Sequence, residues 1–325
     1  MNGEKTYING INGKIDRLLE KNSDKRYLKG YRYFLIGMAP SSIYNYISRV
    51  NHFMDSTQKE PEDLRLDDYT IYLGEISDRT SSYRIVTHTA LRKFSLYLKA
   101  NDINTLDPMQ YISRPKAKES IETKEKRTNG FLEKKEIRTI KKNIEFGVGS
   151  LRAKHIQEKS YERDMAIFMI FLNTGMRCSA LCKLDVDNID KESKSIVVTD
   201  KGSKVMRYNL AEETWDCLSE WLYKREYMVD SDEEALFISR SNERMGYRSI
   251  YNLVKKYSEG IKGKNITPHK LRATYGTQLY NATKDIKFVQ KCMNHSNPQT
   301  TMLYIRGDEN KTKEASEIMS KLISG

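Results

Sequence analysis

The run from Met165 to Leu172 is apolar on nearly every side, so a helix built from it has no solvent face. Such a helix must lie at the centre of a core and be wrapped by other elements. Thr174 and Gly175 break it, and Arg177 stands just beyond the break. An arginine there reads as a plain surface residue or as a partner for the negative end of the helix dipole.

The surrounding patterns are helical or briefly extended. Ile43, Tyr46, Ile47, Val50, Phe53 and Met54 recur at helical spacing after Pro40, which predicts a helix with one core face. Asn45 and Arg49 fall on its other side, where they would either touch a polyanion or be solvated. A second helix opens near Thr80 and buries Tyr83, Val86, Ala90, Leu91, Phe94, Tyr97 and Leu98. Its opposite face carries Arg84, His88 and Arg92 at i, i+4 and i+8, a line that could follow a phosphate backbone or be a solvated stripe. Shorter helices are predicted over 11–19, 24–36 and 66–76.

Between Arg114 and Asn129 the sequence is charged and lacks apolar periodicity, as a linker does. Beyond it, a helix is predicted over 133–144, then a looser stretch, then the buried run. Three short strands follow in DVDNID, KSIVVT and SKVMRYNL, with DKGS as a turn. Helices over 211–229 and 247–259 flank a short extended piece, ALFIS, and the second of them bears Arg248. The fold class is therefore mainly α with a small antiparallel sheet. An N-terminal helical bundle occupies 1–115, a linker 116–128, and an α+β domain 129–325.

Lysine plus arginine number 56 against 44 acidic residues, a net charge of +12, which favours a polyanionic partner. The four cysteines form no Cys-x-x-Cys pair and no histidine cluster surrounds them, so reduced thiols are expected and a zinc site is not. The N-terminus lacks an apolar leader, and no run of about 18 apolar residues occurs. A soluble, cytoplasmic protein without a membrane partner is expected.

The most informative chemistry lies between Thr267 and Arg306. Thr267 and Pro268 form a helix start, with a hydroxyl cap and a proline at the first position. His269 and Arg272 then share the face of its first turn, beside a helix N-terminus suited to an anion. His295 and Tyr304 follow. A tyrosine has a pKa of about 10 and needs nearby cations and a proton acceptor to act as a nucleophile. One of 21 tyrosines would not be singled out alone. In order, however, TGMRCSAL, DKGSK, HKLR, MNHS and TTMLY resemble the motifs of the tyrosine recombinase family of phage integrases and Xer-like enzymes.

The resemblance covers about 129–306 and implies a site-specific DNA recombinase. Tyr304 would attack the scissile phosphodiester to give a 3′-phosphotyrosyl link. Arg177, Arg272 and His295 would hold the phosphate. Lys201, with Lys204 as the other candidate, would protonate the leaving 5′-oxygen, and His269 would serve Tyr304 as acid/base partner. No metal and no cofactor is implied, because the bond energy stays in the phosphotyrosine. The N-terminal bundle resembles the family's core-binding domain, with Asn45, Arg49, Arg84, His88 and Arg92 as DNA contacts and Arg248 as a further one.

Two departures from the family pattern are visible. Ala180 replaces the usual acidic residue, and Asn294 stands where glycine is frequent, a position that needs positive φ and tolerates asparagine. The resemblance further implies double-stranded DNA sites as partners, a monomer in solution and a homo-tetramer on two sites, association with the nucleoid, and room for accessory DNA-bending or directionality factors. Ala315, Ile318, Met319, Leu322 and Ile323 mark an amphipathic helix over 311–323, which would dock in its own domain or pass to a neighbour. The competing readings are a type IB topoisomerase-like relaxase and a catalytically silent DNA-binding regulator.

Overall fold

A computed structural model describes residues 2–116, 131–200, 204–229, 233–294 and 319. The chain divides into two compact units, Met1–Ile121 and Glu122–Gly325.

The first unit is helical, with α1 (Asn2–Lys21), α2 (Arg26–Phe34), α3 (Pro40–Thr57), α4 (Leu66–Glu75) and α5 (Ser81–Ala100). Pro40 sits in the first turn of α3, and the Thr80 hydroxyl accepts the Tyr83 N–H to cap α5. The core joins Leu28, Tyr31, Ile47, Phe53, Tyr69 and Phe94. Tyr31 is buried together with its hydroxyl, which donates to the Ala90 carbonyl at 2.8 Å, so the phenol does not leave a polar group stranded. The buried face of α5 is rotated from the expected stripe. Thr87 and His88 are buried, whereas Val86 is half-exposed.

The second unit is built around the apolar helix. It comprises α6 (Lys134–Phe146), α7 (Leu151–Glu158), α8 (Tyr161–Thr174) and α9 (Cys178–Leu181), followed by β1 (Ile189–Asp190), β2 (Ser195–Asp200) and β3 (Lys204–Asn209). Then come α10 (Glu212–Glu226), α11 (Tyr247–Tyr257), α12 (Pro268–Thr283) and α13 (Ile286–Cys292). Helix α8 is the predicted central helix, packed by α6, α10 and α12. The stretch expected to be loose contains α7, opened by the Ser150 hydroxyl. Its apolar spacing is weak, so the capping residue is its only local signal.

The three strands form an antiparallel sheet in the order β1, β2, β3, with Ile189 opposite Ile196 and Val197 opposite Arg207. The extended piece at Ala235 to Ile238 makes isolated bridges with Asp185 and Arg244 rather than a fourth strand. A buried polar cluster ties α11 to α8. Asp164, with no exposed surface, accepts from Arg163 and, at 2.7 Å, from the Tyr257 hydroxyl. Burial first, and then the Asp164 charge, pushes the Tyr257 phenol far up, so it remains a donor.

Candidate active site

Helix α8 ends where the sequence breaks it. The Thr174 hydroxyl donates to the Ile170 carbonyl at 2.6 Å and accepts the Met176 N–H at 3.1 Å. Gly175 terminates the helix at φ 58°, a left-handed conformation open to glycine at little cost. A side chain is excluded there for a second reason, since a Cβ on Gly175 would stand 2.3 Å from Cδ1 of the Tyr275 ring. Arg177 follows as the exposed residue that leads into α9.

Helix α12 opens as the sequence predicts, with the Thr267 hydroxyl accepting the Lys270 N–H and Pro268 in the first turn. His269 is exposed on that turn, whereas Arg272, one turn on, is 4% exposed. The Arg272 guanidinium donates to the carbonyls of Gly175 and Met293. Arg177 reaches the same turn, with Nη2 donating to the Asn294 carbonyl at 3.3 Å. Asn294 has φ 48°, the left-handed conformation its position was expected to need.

Arg177, His269 and Arg272 are thus placed by the end of α8, the start of α12 and the turn after α13. Two guanidinium groups tied to main-chain carbonyls are cations already oriented before any anion arrives. Preorganisation of this kind is what stabilises charge that develops during phosphoryl transfer. His295, directly after Asn294, lies outside the described residues, as do Lys201 and Tyr304. Lys204 begins β3. The expected helix over 311–323 also lies outside them, apart from Met319. Among the described residues no group of three or more His, Cys, Asp or Glu side chains is arranged to hold a metal ion, and no helix is long and apolar enough to cross a membrane. The four cysteines are free thiols, with Cys178 and Cys182 buried.

The candidate DNA contacts separate into two kinds. Asn45 on α3 and Arg248 on α11 are exposed. The Arg49 guanidinium lies 3.7 Å above the centre of the Tyr83 ring, an arrangement that sequence spacing did not disclose. Arg84 is half-buried. His88 is a correction, because it is only 2% exposed and its Nε2 donates to the Ile112 carbonyl at 3.0 Å. On the next turns Arg92, itself exposed, donates through Nη1 to the Met109 carbonyl at 3.0 Å, and Ser95 to Asp107 at 2.7 Å. This face of α5 is therefore a docking strip for residues 107–112. The i, i+4, i+8 spacing showed a shared face but not the distant chain segment lying on it.

Comparison with known proteins places these motifs in a family. The family model described as phage integrase family matches residues 130–311. A tyrosine recombinase XerC from Caldanaerobacter subterraneus subsp. tengcongensis is 37% identical over 157 residues, which are 47% of this chain and 44% of that protein. A tyrosine recombinase XerC from Corynebacterium efficiens is 26% identical over 287 residues, 88% of this chain and 87% of that protein. The chain thus spans less than half of the first relative and most of the second. In fold, it is similar to XerH site-specific recombinase bound to palindromic difH substrate in a post-cleavage complex. That likeness has a TM-score of 0.66 at 18% identity and covers 86% of this chain and 80% of that one.

Proposed function

The chain belongs to the phage integrase family, and from that premise we propose that it is a site-specific recombinase that cuts and rejoins duplex DNA through a 3′-phosphotyrosyl intermediate. The observation that carries the reading is the convergence of Arg177 and Arg272 on consecutive carbonyls, those of Asn294 and Met293, immediately ahead of His295 in the chain.

In this mechanism the Tyr304 phenol oxygen attacks the scissile phosphorus and the 5′-oxygen leaves. The phosphodiester is exchanged for a phosphotyrosyl bond, so a 5′-hydroxyl of a partner strand can reverse the step onto new DNA. Arg177 and Arg272 hold the non-bridging oxygens, with His295 as a further donor. His269 takes the proton from Tyr304, and Lys201 gives one to the leaving oxygen. The bond energy is conserved throughout, so the residues named suffice without a cofactor.

Residues 1–115 act as the core-binding domain and 129–325 as the catalytic domain, joined by 116–128. Asn45 and Arg248, both exposed, are the contacts best placed to meet phosphates, and Arg49, Arg84 and Arg92 add positive charge. The working assembly is a tetramer on two DNA sites, formed from monomers, acting on cytoplasmic DNA with or without accessory bending factors.

The deciding experiment uses a nicked suicide duplex. Wild-type protein should become covalently attached to it, and Tyr304→Phe should bind the duplex without attachment. Covalent trapping by the phenylalanine variant would overturn the assignment. Exchange of flanks between two sites, as against relaxation of a supercoiled circle alone, separates a recombinase from a relaxase.

A further inference from the structure

Helices α3 and α5 pack against each other in the first unit. Helix α5 has no acidic residue in its 20 positions, and α3 has none before Asp55, which is paired with Lys25. In a chain with 44 acidic residues, that leaves Arg49, Arg84, Arg92, Lys93 and Lys99 as the formal charges of both helices up to Asp55. A surface so composed attracts an anion.

Arg49 is half-buried on α3, and its guanidinium carbon lies 3.7 Å from the centre of the Tyr83 ring. Tyr83 stands in the first turn of α5, where its N–H donates to the Thr80 hydroxyl at 3.3 Å and its carbonyl accepts the Thr87 hydroxyl at 2.9 Å. The cap that starts α5 therefore also fixes the backbone that bears the ring. Arg32, Arg92, Arg163, Arg207, Arg225 and Arg244 each donate to a carbonyl or carboxylate. Arg49 is held differently. Its buried Nε has no hydrogen-bond partner, and no oxygen among the described residues takes its other N–H groups.

A ring face attracts a guanidinium through its quadrupole and occupies none of its donors. The side chain is thus ordered before binding, which lowers the entropy lost on meeting a ligand. A stranded donor is unfavourable in the free protein, and the charge of an adjacent anion offsets that cost.

We propose that Tyr83 is a positioning residue for DNA binding, whose ring holds the Arg49 guanidinium ready for a backbone phosphate. The inference rests on the reading of the chain as a DNA recombinase and adds to it a residue that acts through Arg49. Lysine at 49 would keep the charge, but an ammonium has no planar fork to lie on the ring and meet two phosphate oxygens.

The test measures Kd with the full chain on a duplex selected by the wild-type protein from a randomised pool. Tyr83→Leu should weaken binding about three- to tenfold, the range of a cation–π contact. Tyr83→Phe should bind as the wild type does, because it keeps the ring face. In an Arg49→Ala background, Tyr83→Leu should have no further effect, since its partner is already gone. A merely structural role would instead weaken both backgrounds alike. Arg49→Lys should bind no better than Tyr83→Leu, which keeps the proposal open to test if the leucine variant fails to fold.

Wild-type affinity in Tyr83→Leu or in Arg49→Lys would overturn the proposal, as would equal losses in the two backgrounds. A loss in Tyr83→Phe as large as in Tyr83→Leu would also overturn it, by assigning the effect to the hydroxyl. Tyr304→Phe is run beside these variants on a nicked suicide duplex. If it still traps DNA, the catalytic assignment fails, whatever the binding cycle at Arg49 and Tyr83 shows.

Discussion

Arg272 donates to the main-chain carbonyl of Gly175, 97 positions earlier in the chain. The residue that closes α8 and the arginine of α12 thus form one unit, with Tyr275 wedged against it. Gly175→Ala should cost about 2 to 5 kcal/mol, combining a left-handed alanine with overpacking against the ring, as read from the urea midpoint. Tyr275→Leu added to Gly175→Ala should recover part of that stability without restoring the cleavage rate.

Lys201→Ala should slow cleavage of an ordinary duplex by about 10² to 10⁴, the range for a general acid. A 5′-phosphorothiolate at the scissile position should restore most of that rate, because a thiolate leaves without a proton. Equal defects on both substrates would exclude the role. Lys204→Ala is the control and should do much less.

The first unit offers a contrast between a buried histidine on α5 and a half-buried arginine on α3. His88→Ala should destabilise the protein by about 1 to 3 kcal/mol, since it leaves the Ile112 carbonyl without its donor. The salt dependence of DNA binding should be unchanged in that variant. Arg49→Ala should instead reduce the slope of log affinity against log salt by about one, the loss of a single phosphate contact.

Glu136 provides the pH dependence. Burial alone would raise its carboxyl, but the bonds from Lys264 and the Glu133 N–H outweigh burial and hold it below the usual range. Because the folded value is depressed, this stabilisation is complete above the unfolded value of about 4.3 and is lost as pH falls through the folded one. Glu136→Gln should therefore be less stable at pH 7, by about 1 to 3 kcal/mol. The gap should close as the solution is acidified.

Deleting residues 311–325 should leave binding of one DNA site intact while abolishing assembly on two sites, as read by native gel mobility. A head-to-tail exchange of the tail around a ring predicts this result. Undiminished strand exchange by the truncated protein would place the tail in cis or make it dispensable.

What the sequence disclosed follows from the range of the forces involved. The cap at Thr267, the break at Gly175 and the left-handed Asn294 are local requirements of backbone geometry, and each was legible from one or two residues. The central position of α8 was legible from its lack of any polar face. His88 was misread because its surroundings are set by residues 107–112, which fold back onto α5 through bonds that no local pattern encodes. The Tyr83 ring beneath Arg49 escaped notice for the same reason. Tyr275 escaped it because a tyrosine at i+3 from an arginine is ordinary, and its meaning lies in a glycine 100 positions away in sequence.

The carbonyls of Gly175, Met293 and Asn294 are atoms every amino acid possesses. What must be inherited at these positions is a path of the main chain rather than a functional group, so Asn294 can stand where glycine is frequent and still receive Arg177. Selection on such a site acts on torsion angles. A randomised library at 293 and 294 should accordingly retain variants by their tolerance of buried apolar packing at the first position and of positive φ at the second.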